Sequence, residues 1–200
     1  MEVNNIMKFN NYKIVLNSNK IKMSEYIRNF YDRDKFHKLC MQCEKYGKLW
    51  SCPPYSFEVK DILNKYDNVY LIGAKIILSD KLICETKKED ILECTYTILN
   101  EVRKILGDML LNLEDRYQES LSLYAGSCLL CENCDRLNNK PCRFPERMRY
   151  SLESLGFDVS KTSSELLDID IKWANDKLPE YFTLVSAFFT NREIDNILER

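Results

Sequence analysis

Apolar positions along this 200-residue chain alternate between the strand period of two and the helical period of 3.6. Tyr12 to Leu16 reads as a short strand, and Ser24 to Phe30 as one or two helical turns. Glu58 to Tyr66 fits a short amphipathic helix with Val59, Ile62 and Leu63 on one side. Val69 to Leu78 is the strongest strand, and its near-continuous apolar run predicts burial on both faces. Leu82 to Cys84 extends that strand or supplies a hairpin partner. Thr86 and Glu89 then have the spacing of a capping box. The helix they open carries an apolar stripe from Ile91 to Leu113, and Gly107 is where it would bend.

Ser120 to Ala125 alternates as a second strand. Pro145 and Gly156 sit where a helix wants its first residue and its C-terminal glycine, with Met148, Leu152 and Leu155 on one face. Thr162 and Glu165 form another capping box, Tyr181 to Phe189 the last strand, and Asn191 the cap of a C-terminal helix bearing Ile194, Ile197 and Leu198. About four strands and four or five helices predict an α/β or α+β fold. A single domain over residues 1–200, built on one mixed sheet with crossover connections, fits the long separations between strands. No repeat or low-complexity segment interrupts it. Two cysteine-rich loops, 40–54 and 128–145, leave this scaffold at one end, where sites usually sit. Pro53 and Pro54 break any helix or central strand in the first.

Composition narrows the function. Apolar residues are 45% and charged residues 30%, so the chain is globular. A net charge of −2 gives no general attraction for phosphate backbones or anionic lipid, so neither nucleic acid nor a membrane is an expected partner. Five glycines include no phosphate-cradling run, and the lone His37 leaves no room for a His-based triad. Met1 to Lys13 has no secretory h-region, and no apolar run is long enough to cross a bilayer. The expected location is the cytoplasm, where disulfides are rare.

Nine cysteines therefore point to metal. The first motif is Cys40-x2-Cys43-x8-Cys52-Pro53-Pro54, and the second is Cys128-x2-Cys131-x2-Cys134-x7-Cys142. A Cys-x2-Cys turn aims two thiolates at one centre, and a third at i+6 wraps a cubane corner. That triplet, with a later Cys near Pro, matches the bacterial ferredoxin arrangement in part; its last gap is seven rather than three. Zinc normally takes its ligands as two pairs, so iron–sulfur is preferred and zinc is the alternative. A redox-active thiol pair is disfavoured, because Cys40–Cys43 lacks a strand-to-helix setting.

Cys84 and Cys94 read as small core hydrophobes, and His37 as a surface or capping residue. Tyr46, Trp50, Tyr55, Phe57 and Phe144 read as an apolar lid over the thiols. Lys45, Lys48, Lys140, Arg143, Arg147 and Arg149 would offset the charge of a thiolate cluster or orient an anionic substrate.

Cys40-x2-Cys43-x2-Tyr46-Gly47-Lys48-x-Trp50-Ser51-Cys52-Pro53-Pro54 resembles the signature of a predicted metal-binding family, domain of unknown function 2284. So do Gly126-x-Cys128-x2-Cys131-x2-Cys134, Pro141-Cys142-Arg143-x-Pro145, and Met148-x3-Leu152-Glu153-x2-Gly156 with Val159. The resemblance spans about Lys38 to Val159. It implies a prokaryotic protein that binds metal through these cysteines, and it implies no particular reaction.

The expectation is a cytoplasmic iron–sulfur protein holding one or two [4Fe-4S] clusters on Cys40, Cys43, Cys52, Cys128, Cys131, Cys134 and Cys142. It would act in electron transfer with a redox partner protein, or in catalysis on a small-molecule substrate at an open iron. Cys142 either crosses over to join Cys40, Cys43 and Cys52, or completes a set with its own triplet. A zinc-stapled structural module without redox activity is the alternative. The two motifs, far apart in sequence, are expected to meet in space. No catalytic residue is assigned.

Overall fold

The computed structural model describes residues 6–199. Five strands form one sheet: β1 (Ile6–Lys8), β2 (Tyr12–Lys22), β3 (Asn68–Leu78), β4 (Leu121–Leu123) and β5 (Tyr181–Thr190). Their order is β1-β2-β3-β5-β4, and every neighbouring pair is antiparallel. β3 and β4 consequently run parallel, separated by β5, and the chain crosses between them through one long helix. This is a split crossover, and it answers the expectation of a crossover within a single sheet of an α/β or α+β fold.

Period-two alternation along β3 divides the interior in two. Tyr70, Ile72, Ala74, Ile76 and Leu78 join one apolar cluster, and Val69 and Leu71 the other. Both faces are covered, as the continuous apolar run predicts. On the first face lies α5 (Ile91–Arg116), which buries Ile98, Val102, Leu106, Leu110 and Leu113. Their spacings of three and four place them on one stripe. On the second face lie α1 (Met23–Phe30), α3 (Val59–Leu63), α6 (Leu152–Leu155) and α7 (Val159–Leu167), packed around the stacked rings of Tyr26 and Phe157. The remaining helices are α2 (Arg33–Met41) and α4 (Asp80–Glu85).

Several boundaries differ from the sequence pattern, each for a local reason. Leu82 to Cys84 belongs to α4, because Ser79 Oγ accepts from Leu82 N at 3.2 Å and starts a helix where β3 ends. Thr86 does not cap α5; its Oγ1 donates to Leu82 O and closes α4. A 3₁₀ turn at Lys88–Asp90 then leads into α5. Pro145 starts no long helix. Tyr124 N donates to Tyr150 O, which pulls the preceding segment out of helical geometry, and only Leu152–Leu155 coils, under a Ser151 capping box. Gly156 does end that helix, at φ +108°, a conformation other residues rarely adopt. Asp158, not Thr162, caps the next helix; Thr162 is buried against Tyr26 Oη. The C-terminal segment is irregular because Ile194 N is taken by Tyr70 Oη and Asn191 Oδ1 by Asp67 N. Ile194, Ile197 and Leu198 still reach the core.

The stripe on α5 makes a direct prediction. Leu110→Ala, at a fully buried position, should cost about 2–5 kcal/mol in denaturant unfolding, whereas Leu92→Ala should stay within about 0.5 kcal/mol because Leu92 is exposed. Equal costs at the two positions would contradict the packing of α5 against the sheet.

Candidate metal centre

The first cysteine loop grows out of α2. Asp32 caps this helix by accepting from Lys35 N at 3.0 Å, and Cys40 lies in its last turn. Consecutive tight turns follow. Cys43 N donates to Cys40 O, Tyr46 N to Cys43 O, and Cys52 N to Leu49 O, each at 3.0 Å. The first of these brings positions 40 and 43 to the same side of the chain, as the x2 spacing requires. Gly47 N donates to Pro53 O at 2.8 Å and folds the far end of the loop back onto its start.

The second loop hangs from the edge strand β4. Its base is closed by the Tyr124 N to Tyr150 O bond, and Tyr124 Oη donates to Arg147 O at 3.0 Å. Below this closure Arg149 and Glu114 form a largely buried ion pair; Glu114 Oε1 accepts from Arg149 Nε at 2.7 Å and from Ser122 N at 2.6 Å. One carboxylate on α5 thus fixes both ends of the loop. Gly126 adopts φ +75°, and a side chain there would press on the Arg103 guanidinium at 3.2 Å.

The two loops dock on each other. Cys128 N donates to Ser51 Oγ at 3.1 Å, Lys45 Nζ to Ser127 Oγ at 3.2 Å, and Trp50 Nε1 to Lys140 O at 3.0 Å. Arg136 reaches from the second loop to three carbonyl oxygens of the first: Leu49 at 2.7 Å, Cys52 at 2.5 Å and Pro54 at 2.5 Å. Its guanidinium also lies over the Trp50 ring, 5.1 Å from the centroid. Arg103 adds a further clamp, donating from Nε to Ala125 O at 2.6 Å and from a terminal nitrogen to Ser127 O.

Burial is the largest electrostatic influence on Cys40, Cys52 and Cys128. Burial, with the nearby charges of Cys52, Glu153 and Cys43 acting the same way and Arg33 opposing, pushes Cys40 up to about 11. Burial also raises Cys128, reinforced by Cys131, Cys142 and Cys134. Burial raises Cys52 too, while Arg136 and Lys45 lower it. Thiols in such surroundings keep their protons at neutral pH, and a cation that takes them as thiolates must supply the missing compensation. Among the described residues, no three His, Cys, Asp or Glu side chains are arranged so that they could hold a metal ion as they stand. The donor chemistry nevertheless fits a thiolate-bound metal: seven free cysteines are concentrated on two loops in contact.

The other candidate residues divide. Cys84 is exposed on α4 rather than buried at a strand end, so its reading as a core hydrophobe is corrected: residues 80–85 coil and turn it to solvent. Cys94, on α5, is partly buried against the core. His37 Nε2 lies 3.3 Å from Tyr46 Oη. Tyr55, Phe57 and Tyr150 stack together next to the first loop, and Phe144 is 38% exposed. Of the expected cations, Arg143 pairs with Asp135, Arg147 with Asp108 and Arg149 with Glu114. Ser51 and Glu153 stood in the family motifs without an assigned role, and Arg103 and Arg136 did not stand out in the sequence. Arg136, two residues after Cys134, had position as its signal. Arg103 had none, since a basic residue beside an apolar stripe usually faces water.

The family described as predicted metal-binding protein (DUF2284) matches residues 26–187, so the chain belongs to that family. No curated protein and no solved structure matches it. No helix among the described residues is long and apolar enough to cross a membrane.

Arg136→Lys keeps the charge and removes the forked donors. It should cost about 1–3 kcal/mol of stability and speed metal loss to a chelator, followed by metal content against time. Unchanged retention would mean that these bonds do not hold the loops together. Cys84→Ser should unfold within about 0.5 kcal/mol of the parent, and Cys94→Ala should cost about 1 kcal/mol. Both should keep full metal content; loss in either would move that cysteine into the ligand set.

Proposed function

We propose that this chain is an iron–sulfur protein acting in redox chemistry, and that Cys128, Cys131, Cys134 and Cys142 form the four-thiolate set of one [4Fe-4S] cluster. The observation that carries the reading is the docking of the two cysteine loops through Ser51 and Arg136, which sets seven free cysteines on neighbouring segments. Thiolates at i, i+3 and i+6 span a cubane better than they close around one tetrahedral ion. Cys40, Cys43 and Cys52 are then a three-thiolate set on the docked loop. In a cubane bound by only three cysteines, one iron stays open to an outside ligand. Electron transfer needs closed clusters only; catalysis needs the open one.

The chain's own residues would serve such a centre in defined ways. Arg136 and Lys45 set positive charge beside Cys52, and Arg103 bears on both Cys128 and Cys52. These charges offset the negative charge of thiolate-bound clusters and raise their potential. Leu130 N points at Cys128 Sγ at 3.5 Å, a weak donor of the kind that tunes cluster sulfur. Tyr55, Phe57 and Tyr150 limit water on the side of the first loop. A bound iron–sulfur group would supply one-electron chemistry.

Protein prepared without oxygen should be brown and contain iron and acid-labile sulfide. Cys131→Ala should lose the iron of one cluster and its visible absorption, with a drop in solubility because metal binding contributes folding energy. Colourless wild-type protein with stoichiometric zinc and no sulfide would replace this reading with a structural zinc module.

A further inference from the structure

Beside the thiol loops lies a feature that metal binding does not use. A cavity of about 570 Å³ opens between α5, β5, residues 125–127 and residues 171–175. That volume falls within the range of small-molecule sites, about 300–1,000 Å³. Its polar wall carries Lys45, Arg103 and Glu153, and its rim carries Leu92, Tyr96 and Trp173. The rim residues are 65%, 56% and 75% exposed, a costly display of apolar surface at one mouth.

The polar wall is preset for a ligand. Lys45 is held by Ser127 Oγ, and Arg103 by the Ala125 and Ser127 carbonyls and Asn100 Oδ1. Neither cation makes an ion pair among the described residues. Glu153 Oε2 is enclosed and has no hydrogen-bond partner. A carboxylate oxygen enclosed in this way is costly unless something donates to it. Lys88 and Lys172 also line the cavity but pair with Asp176 and Glu180, so the unpaired cations Lys45 and Arg103 favour an anionic ligand.

We infer that this cavity binds a small 2-hydroxy carboxylic acid with an apolar or aromatic tail. Its carboxylate meets Lys45 and Arg103, its hydroxyl donates to Glu153 Oε2, and its tail lies against Leu92, Tyr96 and Trp173. Lys45 belongs to the first cysteine loop and Ser127 directly precedes Cys128, so the acid end faces the thiol loops. The assignment holds whichever metal those loops take.

The test uses anaerobically prepared, metal-loaded protein and 3-phenyllactate as the probe. Calorimetric titration should show saturable binding, with a change in Trp173 fluorescence that Trp173→Phe abolishes. 3-Phenylpropionate, which lacks the hydroxyl, should bind about tenfold more weakly because Glu153 is left without a donor. Phenylalanine, whose ammonium cancels its charge, should also bind more weakly. Glu153→Leu, which removes the acceptor, should erase the preference for phenyllactate over phenylpropionate, and Lys45→Met should weaken both acids about tenfold or more. Metal content, measured on each variant, separates loss of the pocket from loss of the metal centre. The inference is overturned if no probe binds at millimolar concentration, or if Glu153→Leu retains its metal and also the full preference. Preference for phenylalanine over phenyllactate would overturn the hydroxy-acid assignment.

Discussion

One guanidinium joins the halves of this site. Arg136 gives three hydrogen bonds to backbone carbonyls of the opposite loop and rests its plane on Trp50. Charge-assisted bonds of this kind are about twice as strong as neutral ones. They matter here because the loops they join have little else to hold them. Neither contains a regular helix longer than a turn between its cysteines, and their thiols repel one another once ionised. A loop of clustered thiols needs a scaffold that does not depend on the thiols themselves. Ser51, Lys45 and Trp50 complete that scaffold with one bond each across the same interface.

Rigidity beneath the loops comes from the sheet. β3 is buried on both faces and pairs along its whole length with β2, so the centre of the molecule cannot shift without breaking a long ladder. The second loop hangs from β4, a three-residue strand at the edge, which is a weak support. Glu114 strengthens it from α5 by holding both Arg149 and Ser122 N. An ion pair this enclosed contributes little net stability against water, but removing one partner strands the other charge. Its value is positional: it ties the base of a cysteine loop to the most firmly packed helix.

How much of this was legible in the sequence depended on the kind of signal. β3, β5 and α5 were, because long apolar runs and a stripe sustained from Ile91 to Leu113 have one reading each. Leu82 to Cys84 misled because three apolar residues fit a strand or a helix equally, and the deciding group was Ser79 just upstream. The Thr-x2-Glu pattern failed at both Thr86 and Thr162, since each hydroxyl bonds a carbonyl one turn back instead. A lost cap of that kind cannot be seen without the tertiary partner. In the site, the cysteine spacing announced the ligand candidates. The residues that join the loops did not announce themselves, because backbone carbonyls as acceptors leave no trace in a residue pattern.

The arrangement of charge around the thiols gives the two loops different characters. Burial and the neighbouring Cys131, Cys142 and Cys134 raise the Cys128 thiol, and Leu130 N at 3.5 Å offsets part of this. Cys40 instead feels Glu153, a carboxylate from α6 that also lines the neighbouring cavity. Arg103 bears on Glu153, Cys128 and Cys52 together. Burial lowers the hold of Arg103 on its proton, yet a guanidinium stays charged under any physiological condition. It is therefore a fixed positive charge common to both thiol groups and to the cavity wall. Any change in charge at one of these three places alters the field at the other two. A negative ligand on the cavity side would weaken the benefit Arg103 gives to thiolates at Cys52, and extra negative charge at the thiols would weaken the pull on the ligand. The two sites are coupled through that single side chain, with the same sign in both directions, as linkage between binding sites requires.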